Sequence, residues 1–260
     1  MKRFLKTISW MTFPLLAFMV AAPGAWAQTT VATDNDTIDI RINYNGSTVD
    51  VSGNTEDDVD LVIRIDSKYI NEKMMVKAKV GGLLWMNSEK VEFQNVPNLY
   101  YLKSSADVSK ILDSREQEEY GIGYEALAAN AAIEPPVDPG KAKTLFSEFI
   151  RYKEEGKLYS QTVGGVEMEA GGNGQSYRTT FDWPYQAPPD DYLITVYAVR
   201  DGRVVDSAET GLVVKEVGVE KALTELAQEK GGLYGIAAII VALAAGLGVG
   251  VIFKTGGGAH

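Results

Sequence analysis

The segment Tyr192-Leu193-Ile194-Thr195-Val196-Tyr197-Ala198-Val199-Arg200-Asp201-Gly202-Arg203-Val204-Val205-Asp206-Ser207-Ala208 reads as two strands joined by a tight turn. From Tyr192 to Arg200 the residues are β-formers and apolar at odd and even positions alike. That is the pattern of a strand buried on both faces, and so central in its sheet. Asp201-Gly202 is hairpin chemistry, because a two-residue turn that follows strand twist needs positive φ. Arg203 to Ala208 is the return strand, and Thr210 to Val217 closes the series. Pro188-Pro189-Asp190-Asp191 leads into it.

Upstream, the same alternation recurs. Ile38, Ile40, Ile42 and Tyr44 share one face of a half-buried strand. Asn45-Gly46 is a type I′ turn signal, and Ser47 to Val51 is read as the return strand of a hairpin. Val59, Leu61, Ile63 and Ile65 alternate, as do Met74, Val76, Ala78 and Val80, with Lys73, Lys77 and Lys79 outward. Gly81-Gly82 turns the chain; Leu83 to Met86 and Glu89 to Val96 read as two further strands. Val163 to Glu169 and Ser176 to Trp183 flank a glycine-rich tip, Gly171 to Gly174.

Between residues 104 and 157 the period changes to helical. Ser104 to Leu112 reads as a short helix, and Ser114-Arg115-Glu116-Gln117 has capping-box form at the start of a stretch towards Ala132. Pro135-Pro136 and Pro139-Gly140 read as a linker. Ala142, Leu145, Phe146, Phe149 and Ile150 then fit one face of a clear helix, capped at Gly156. The fold expected is mainly β, a β-sandwich of immunoglobulin-like character with roughly ten strands and a helical insertion. Its parts are an N-terminal β-rich part over 28–103, the insertion over 104–157 and sandwich strands over 158–218. One elaborated sandwich and two small β-domains both fit.

The two ends place the chain in a compartment. Lys2, Arg3 and Lys6, then the apolar run from Ile8 to Ala22, then Ala25-Trp26-Ala27 make a secretory signal over residues 1–27. Near the other end, Leu233 to Phe253 is an uncharged run of 21 residues. At about 1.5 Å per residue this matches a bilayer core of about 30 Å. An amphipathic connector over 219–232 leads into this C-terminal transmembrane helix. The signal then orients the body outside the cytoplasm and the tail, 254–260, inside. Gly246 and Gly250 form a G-x-x-x-G pair, a packing face for another membrane helix, in a partner or in a second copy.

Composition removes several chemistries. The chain of 260 residues has no cysteine, and its one histidine is His260. No thiolate nucleophile, disulfide or histidine-based triad can form within it. The net charge of −10 argues against nucleic acid, which needs clustered Lys and Arg. The absence of disulfides in an exported body favours a bacterial periplasm. Glu56, Asp57, Asp58 and Asp60 are an acidic loop without calcium-loop spacing. Glu167 with Glu169, and Asp190 with Asp191, are carboxylate pairs that nothing in the spacing sets across a cleft. Trp85, Phe93, Tyr100, Tyr101 and Trp183-Pro184-Tyr185 read as packing before they read as a ligand platform. No catalytic, cofactor or metal residue is assigned on this basis.

A set of short motifs falls in a fixed order: Trp85-Met86-Asn87, Val91-x-Phe93-x-Asn95-Val96-Pro97-x-x-Tyr100, Tyr120-x-Ile122-Gly123 and Gly156-x-Leu158-Tyr159. Tyr192-x-Ile194-x-Val196-Tyr197, Asp201-Gly202, Val217-Gly218 and Leu233-Tyr234-Gly235 follow. Together they resemble a proteobacterial family described as "putative transmembrane protein", over almost the whole mature chain. The resemblance implies a periplasmic body on one C-terminal inner-membrane span, beside a permease of the sulfite-exporter type. It carries over no catalytic residue. The function expected is therefore a non-enzymatic, membrane-tethered periplasmic interaction module serving a transporter. A tethered ligand-binding protein or enzyme using carboxylates is the alternative, and a structural or adhesive surface protein a third.

Overall fold

The computed structural model describes residues 28–80, 84–172 and 174–254. The expected signal (1–27), the Gly81-Gly82 turn and all of the tail beyond Lys254 lie outside them. The architecture is mainly β. In chain order the strands are β1 (Ala32–Thr33), β2 (Thr37–Ile40), β3 (Ser47–Thr55), β4 (Asp60–Ser67), β5 (Tyr69–Val80), β6 (Leu84–Pro97) and β7 (Tyr100–Ser104). Helices α1 (Val108–Ile111), α2 (Ser114–Tyr120) and α3 (Tyr124–Asn130), strand β8 (Ala132–Glu134) and helix α4 (Pro139–Glu155) follow. Then come β9 (Tyr159–Val163), β10 (Glu167–Ala170), β11 (Gln175–Trp183), β12 (Asp190–Arg200), β13 (Arg203–Glu216), α5 (Val219–Glu229) and α6 (Gly231–Lys254).

These elements stack in three layers. A four-stranded sheet, β1-β3-β11-β10, faces a six-stranded sheet, β2-β13-β12-β4-β7-β9. Val49 and Val51 of β3 and Tyr177, Phe181 and Trp183 of β11 meet Ile63, Ile65, Ile194, Val196 and Leu212 between the two sheets. The other face of the six-stranded sheet presents Val62, Tyr100, Leu102, Tyr197 and Val199 to a second core. That core is closed by Leu145, Phe146, Phe149 and Ile150 of α4 and by Val91 and Phe93 of β6. The double-sided apolar pattern of Tyr192–Arg200 thus reflects a strand between two cores: Ile194 and Val196 serve one, Tyr197 and Val199 the other.

The Asp201-Gly202 turn joins β12 to β13, with Asp201 at φ 51° and Gly202 at φ 82°. β13 runs unbroken through Ser207 to Glu216 where two segments were expected, because every residue from Arg203 to Val214 except Val205, at the one bulge, has a partner on β12. The glycine-rich tip joins β10 and β11 as a hairpin.

Several expectations are corrected. Thr37–Tyr44 and Ser47–Val51 do not form a hairpin. β2 ends at Ile40 and pairs parallel with β13, whereas β3 pairs with β11 in the opposite sheet. Ile42 continued the alternation in sequence but is 70% exposed, in a turn closed by Tyr44 N–H donating to the Arg41 carbonyl. Of the two strands expected at Leu83–Met86 and Glu89–Val96, all the described residues, from Leu84 on, belong to one strand, β6, which pairs along β5 with two register shifts. The stretch from Ser114 to Ala132 is two helices, broken where Gly121 (φ 62°) and Gly123 (φ 95°) leave helical geometry. Its expected capping box is not formed: Asp113 is the N-cap, and the Gln117 amide donates to the Leu112 carbonyl instead. Ser104–Leu112 shrinks to the single turn α1. Pro139-Gly140 is not linker. Pro139 opens α4 behind the N-cap Asp138, whose carboxylate accepts from Lys141 N–H at 3.0 Å. Val163 belongs to β9, a strand separate from β10.

α6 is long and apolar enough to cross a bilayer. Gly231–Val251 has a mean hydropathy of 2.2 and none of it is buried against the body.

Candidate binding groove

A concavity of about 1000 Å³ lies at one end of the sandwich. Register fixes which end. Tyr192 pairs with Ser67 and Leu212, Asp66 with Tyr100, and Tyr100 with Tyr159. These residues therefore lie at the end where β13 finishes at Glu216 and the chain leaves for α5. Trp183 stands at that end too, its ring centroid 4.8 Å from that of Tyr192 and edge-on to it. The groove thus opens at the anchored end of the body.

Its walls come from four places. The β2–β3 loop and the start of β3 supply Asn45 to Thr48, and the end of β11 with the following loop supplies Phe181 to Gln186. β7 supplies Tyr101 to Lys103, and the end of α4 with β9 supplies Glu154, Lys157, Tyr159, Ser160 and Thr162. Gly46 is required where it stands. Its φ is 104°, and a Cβ there would come within 2.7 Å of the Trp183 carbonyl oxygen.

Most of the aromatic groups are fixed. Tyr101 stacks on Phe181 (6.3 Å, 12°) and donates from Oη to the Lys157 carbonyl at 2.6 Å. Tyr159 donates to the Pro97 carbonyl at 2.6 Å, and Tyr124 to Glu154 at 2.9 Å. Burial pushes the phenols of Tyr101, Tyr159 and Tyr124 up. Asp182 adds to this for Tyr101, Glu72 for Tyr159 and Glu154 for Tyr124. Lys103 Nζ lies 4.9 Å from the Phe181 ring centre and donates to the Thr180 carbonyl. Two polar atoms on the wall have no partner among the described residues: Nε1 of Trp183, a residue only 2% exposed, and Oε1 of Gln186. Both atoms are shut off from solvent, a buried donor and a buried acceptor behind a groove that carries two lysines and two acids. The surface suits a ligand that both gives and takes hydrogen bonds and carries little net charge.

The residues singled out in the sequence go to different places. Gly246 and Gly250 sit on α6, with nothing within 4 Å of where a Cβ would stand, so a helix face is open at both. The acidic loop is held by Arg200, which reaches Glu56 at 2.8 Å and the Asp57 and Asp58 carbonyls at 2.9 and 3.4 Å. Asp60 accepts from Ser105 at 2.7 Å. Asp190 and Asp191 share Lys68, and Glu167 and Glu169 lie on the short hairpin strand β10. Trp183-Pro184-Tyr185 does reach the groove: Trp183 packs in the core while Tyr185 is exposed.

Sequence reading missed Lys103 and all of β9 except its last residue. The signal for β9 was only Tyr159-Ser160-Gln161-Thr162, too short and too polar to count as a strand by alternation. It also missed Arg64 and Asp66, a nearly buried pair at 3.1 Å beneath Tyr69 and Tyr197.

Compared with known proteins, the chain matches a family model described as "Putative transmembrane protein (Alph_Pro_TM)" over residues 28–255. No curated protein matches it.

Proposed function

The chain belongs to the Alph_Pro_TM family of transmembrane proteins, and on that premise we propose that it is a membrane-anchored periplasmic interaction module. In this reading the sandwich body lies outside the cytoplasm, α6 crosses the inner membrane once, the C-terminus is cytoplasmic, and the protein acts by binding rather than by catalysis. The observation that carries it is the pairing of a groove at the anchored end of the body with a span that nothing in the body covers. A ligand held there sits next to the bilayer, where an integral membrane protein can present it. The partner proposed is an inner-membrane permease of the sulfite-exporter type. The open face at Gly246 and Gly250 supports a second contact with it inside the membrane.

An immunoglobulin-like topology belongs to the same proposal. It is supported by strand order: β1-β3-β11-β10 faces β13-β12-β4 as strands ABED face GFC in that fold. Purification of the tagged full-length protein in mild detergent tests the functional reading. The expected result is co-elution with a polytopic membrane protein, weakened when Gly246→Leu and Gly250→Leu are combined. A protein that elutes alone and monomeric overturns it.

A further inference from the structure

The six-stranded sheet ends at β9, and the register shows what that edge offers. Tyr100 N–H donates to the Leu158 carbonyl at 2.9 Å, and Gly164 N–H donates to the Ser104 carbonyl at 2.7 Å. In a parallel ladder, alternate residues face the neighbour. Residues 158, 160, 162 and 164 therefore face β7, and the backbone N–H and C=O of Tyr159, Gln161 and Val163 point away from the sheet. Among the described residues none of these six groups has a hydrogen-bond partner.

The other edges are blunted in the ways that keep sheets from pairing at random. β5 carries Lys73, Lys77 and Lys79. β10 has four residues, two of them Glu167 and Glu169. β1, β2 and β8 have two, four and three residues. β9 has five residues, Tyr-Ser-Gln-Thr-Val, with no charge, proline or bulge, and its Val163 is 58% exposed. The groove lies against this edge and is lined by Ser160 and Thr162 from its inner face.

We infer that an extended segment of a partner polypeptide adds to β9 as a seventh strand of this sheet, with alternate side chains entering the groove. The inference rests on the interaction-module reading and names the surface it uses. Main-chain bonds to the exposed Gln161 and Val163 give affinity, and the groove selects the side chains. Lys103 and Lys157 stand against Glu154 and Asp182 there, so the segment carries little net charge. A second copy of β9 is a poor occupant. It would bring only serine and threonine side chains to a groove of about 1000 Å³.

The test uses the full-length protein in its own cells, with a photoreactive benzophenone side chain in place of Thr162. Irradiation is expected to join it to one contiguous segment of another protein. A synthetic peptide of that segment, added to the detergent-purified wild type, should slow amide exchange at Gln161 and Val163 at least tenfold. Exchange at Ser160 and Thr162, already bonded to β7, should barely change. Gln161→Pro removes an outward N–H that the sheet does not use and should weaken peptide binding at least tenfold. Gln161→Ala keeps that N–H and should bind normally. A crosslink to a second copy, a peptide that leaves those amides unprotected, or equal binding by the two variants overturns strand addition. So does a partner that co-purifies but never crosslinks at 162, and in that case the module reading stands. A protein that neither crosslinks nor co-purifies overturns both.

Discussion

Arg64 is the residue whose removal has the most legible consequence. Its side chain is 12% exposed and donates through Nε to Asp66 at 3.1 Å, and through a terminal nitrogen to the Tyr120 carbonyl at the end of α2. Its guanidinium also lies 5.5 Å from the Tyr197 ring centre. It therefore pins the helical layer to the six-stranded sheet. Burial raises the Asp66 carboxyl above its ordinary value, and Arg64 only partly opposes this. The folded state thus binds this proton more readily than the unfolded chain. The stability this group contributes is greatest below the unfolded value and falls as pH rises through the folded one. Arg64→Met leaves a buried, unpaired carboxylate. It should cost about 3–5 kcal/mol at neutral pH, with part of the loss recovered in mild acid as Asp66 protonates. Denaturant melts at two pH values check this. A loss that is the same in acid as at neutral pH would refute the role given to Asp66.

At the level of elements, the β5–β6 hairpin is held to α4 by a similar device. Lys153, 1% exposed on α4, reaches Glu72 of β5 at 2.5 Å and both the carbonyl and side-chain oxygens of Asn98 at 3.2 Å. It does so between the rings of Phe149 and Tyr159, each 5.6 Å away. Above it Phe93 stacks on Phe149 at 4.5 Å, and Lys141 binds Glu89 at 2.9 Å. Lys153→Met should cost about 2–3 kcal/mol, less than a fully buried pair because Glu72 keeps some contact with water. Amide exchange should rise along β5 and β6 and stay unchanged in β3 and β11. Uniform loosening of both layers would show that the hairpin is not a separate unit.

The same elements show what could be read in advance. α4 was legible because its apolar residues keep helical spacing and Gly156 ends it, and β12 because two cores make positions of both parities apolar. Partners were not legible. Nothing local says that β2 joins β13 rather than β3, since pairing across 176 residues leaves no mark on either strand. The groove was legible only as the aromatics Tyr101 and Trp183-Pro184-Tyr185. Lys153 and Arg64 carried no signal in the sequence, because their burial is set by elements far away in it.

Across the whole molecule, the tyrosines tie the layers to one pH response. Tyr101, Tyr177 and Tyr192 lie in the core between the sheets, Tyr100 and Tyr159 in the core beneath the helices, and Tyr124 packs against the latter. Burial raises all six phenols above their ordinary value, and the Tyr69 phenol is pushed up to about 12 by burial and by Asp66. A folded state that holds these protons longer than the unfolded chain keeps their full contribution below about pH 10. It loses that contribution as pH rises through 12 and beyond. Because both cores hold such groups, the two should melt together on the alkaline side. The thermal midpoint of the purified protein in detergent should be flat up to about pH 10 and fall steeply above it, with the buried phenols' share of the tyrosinate absorbance, the larger one, appearing on unfolding; Tyr152 and Tyr185, which are exposed, are not part of that share. α6 owes nothing to the body's cores, so its helical signal should persist after the β signal is gone. The full tyrosinate absorbance of all 13 tyrosines in a protein that is still folded would mean that these phenols reach water, and that the two cores are looser than their packing requires.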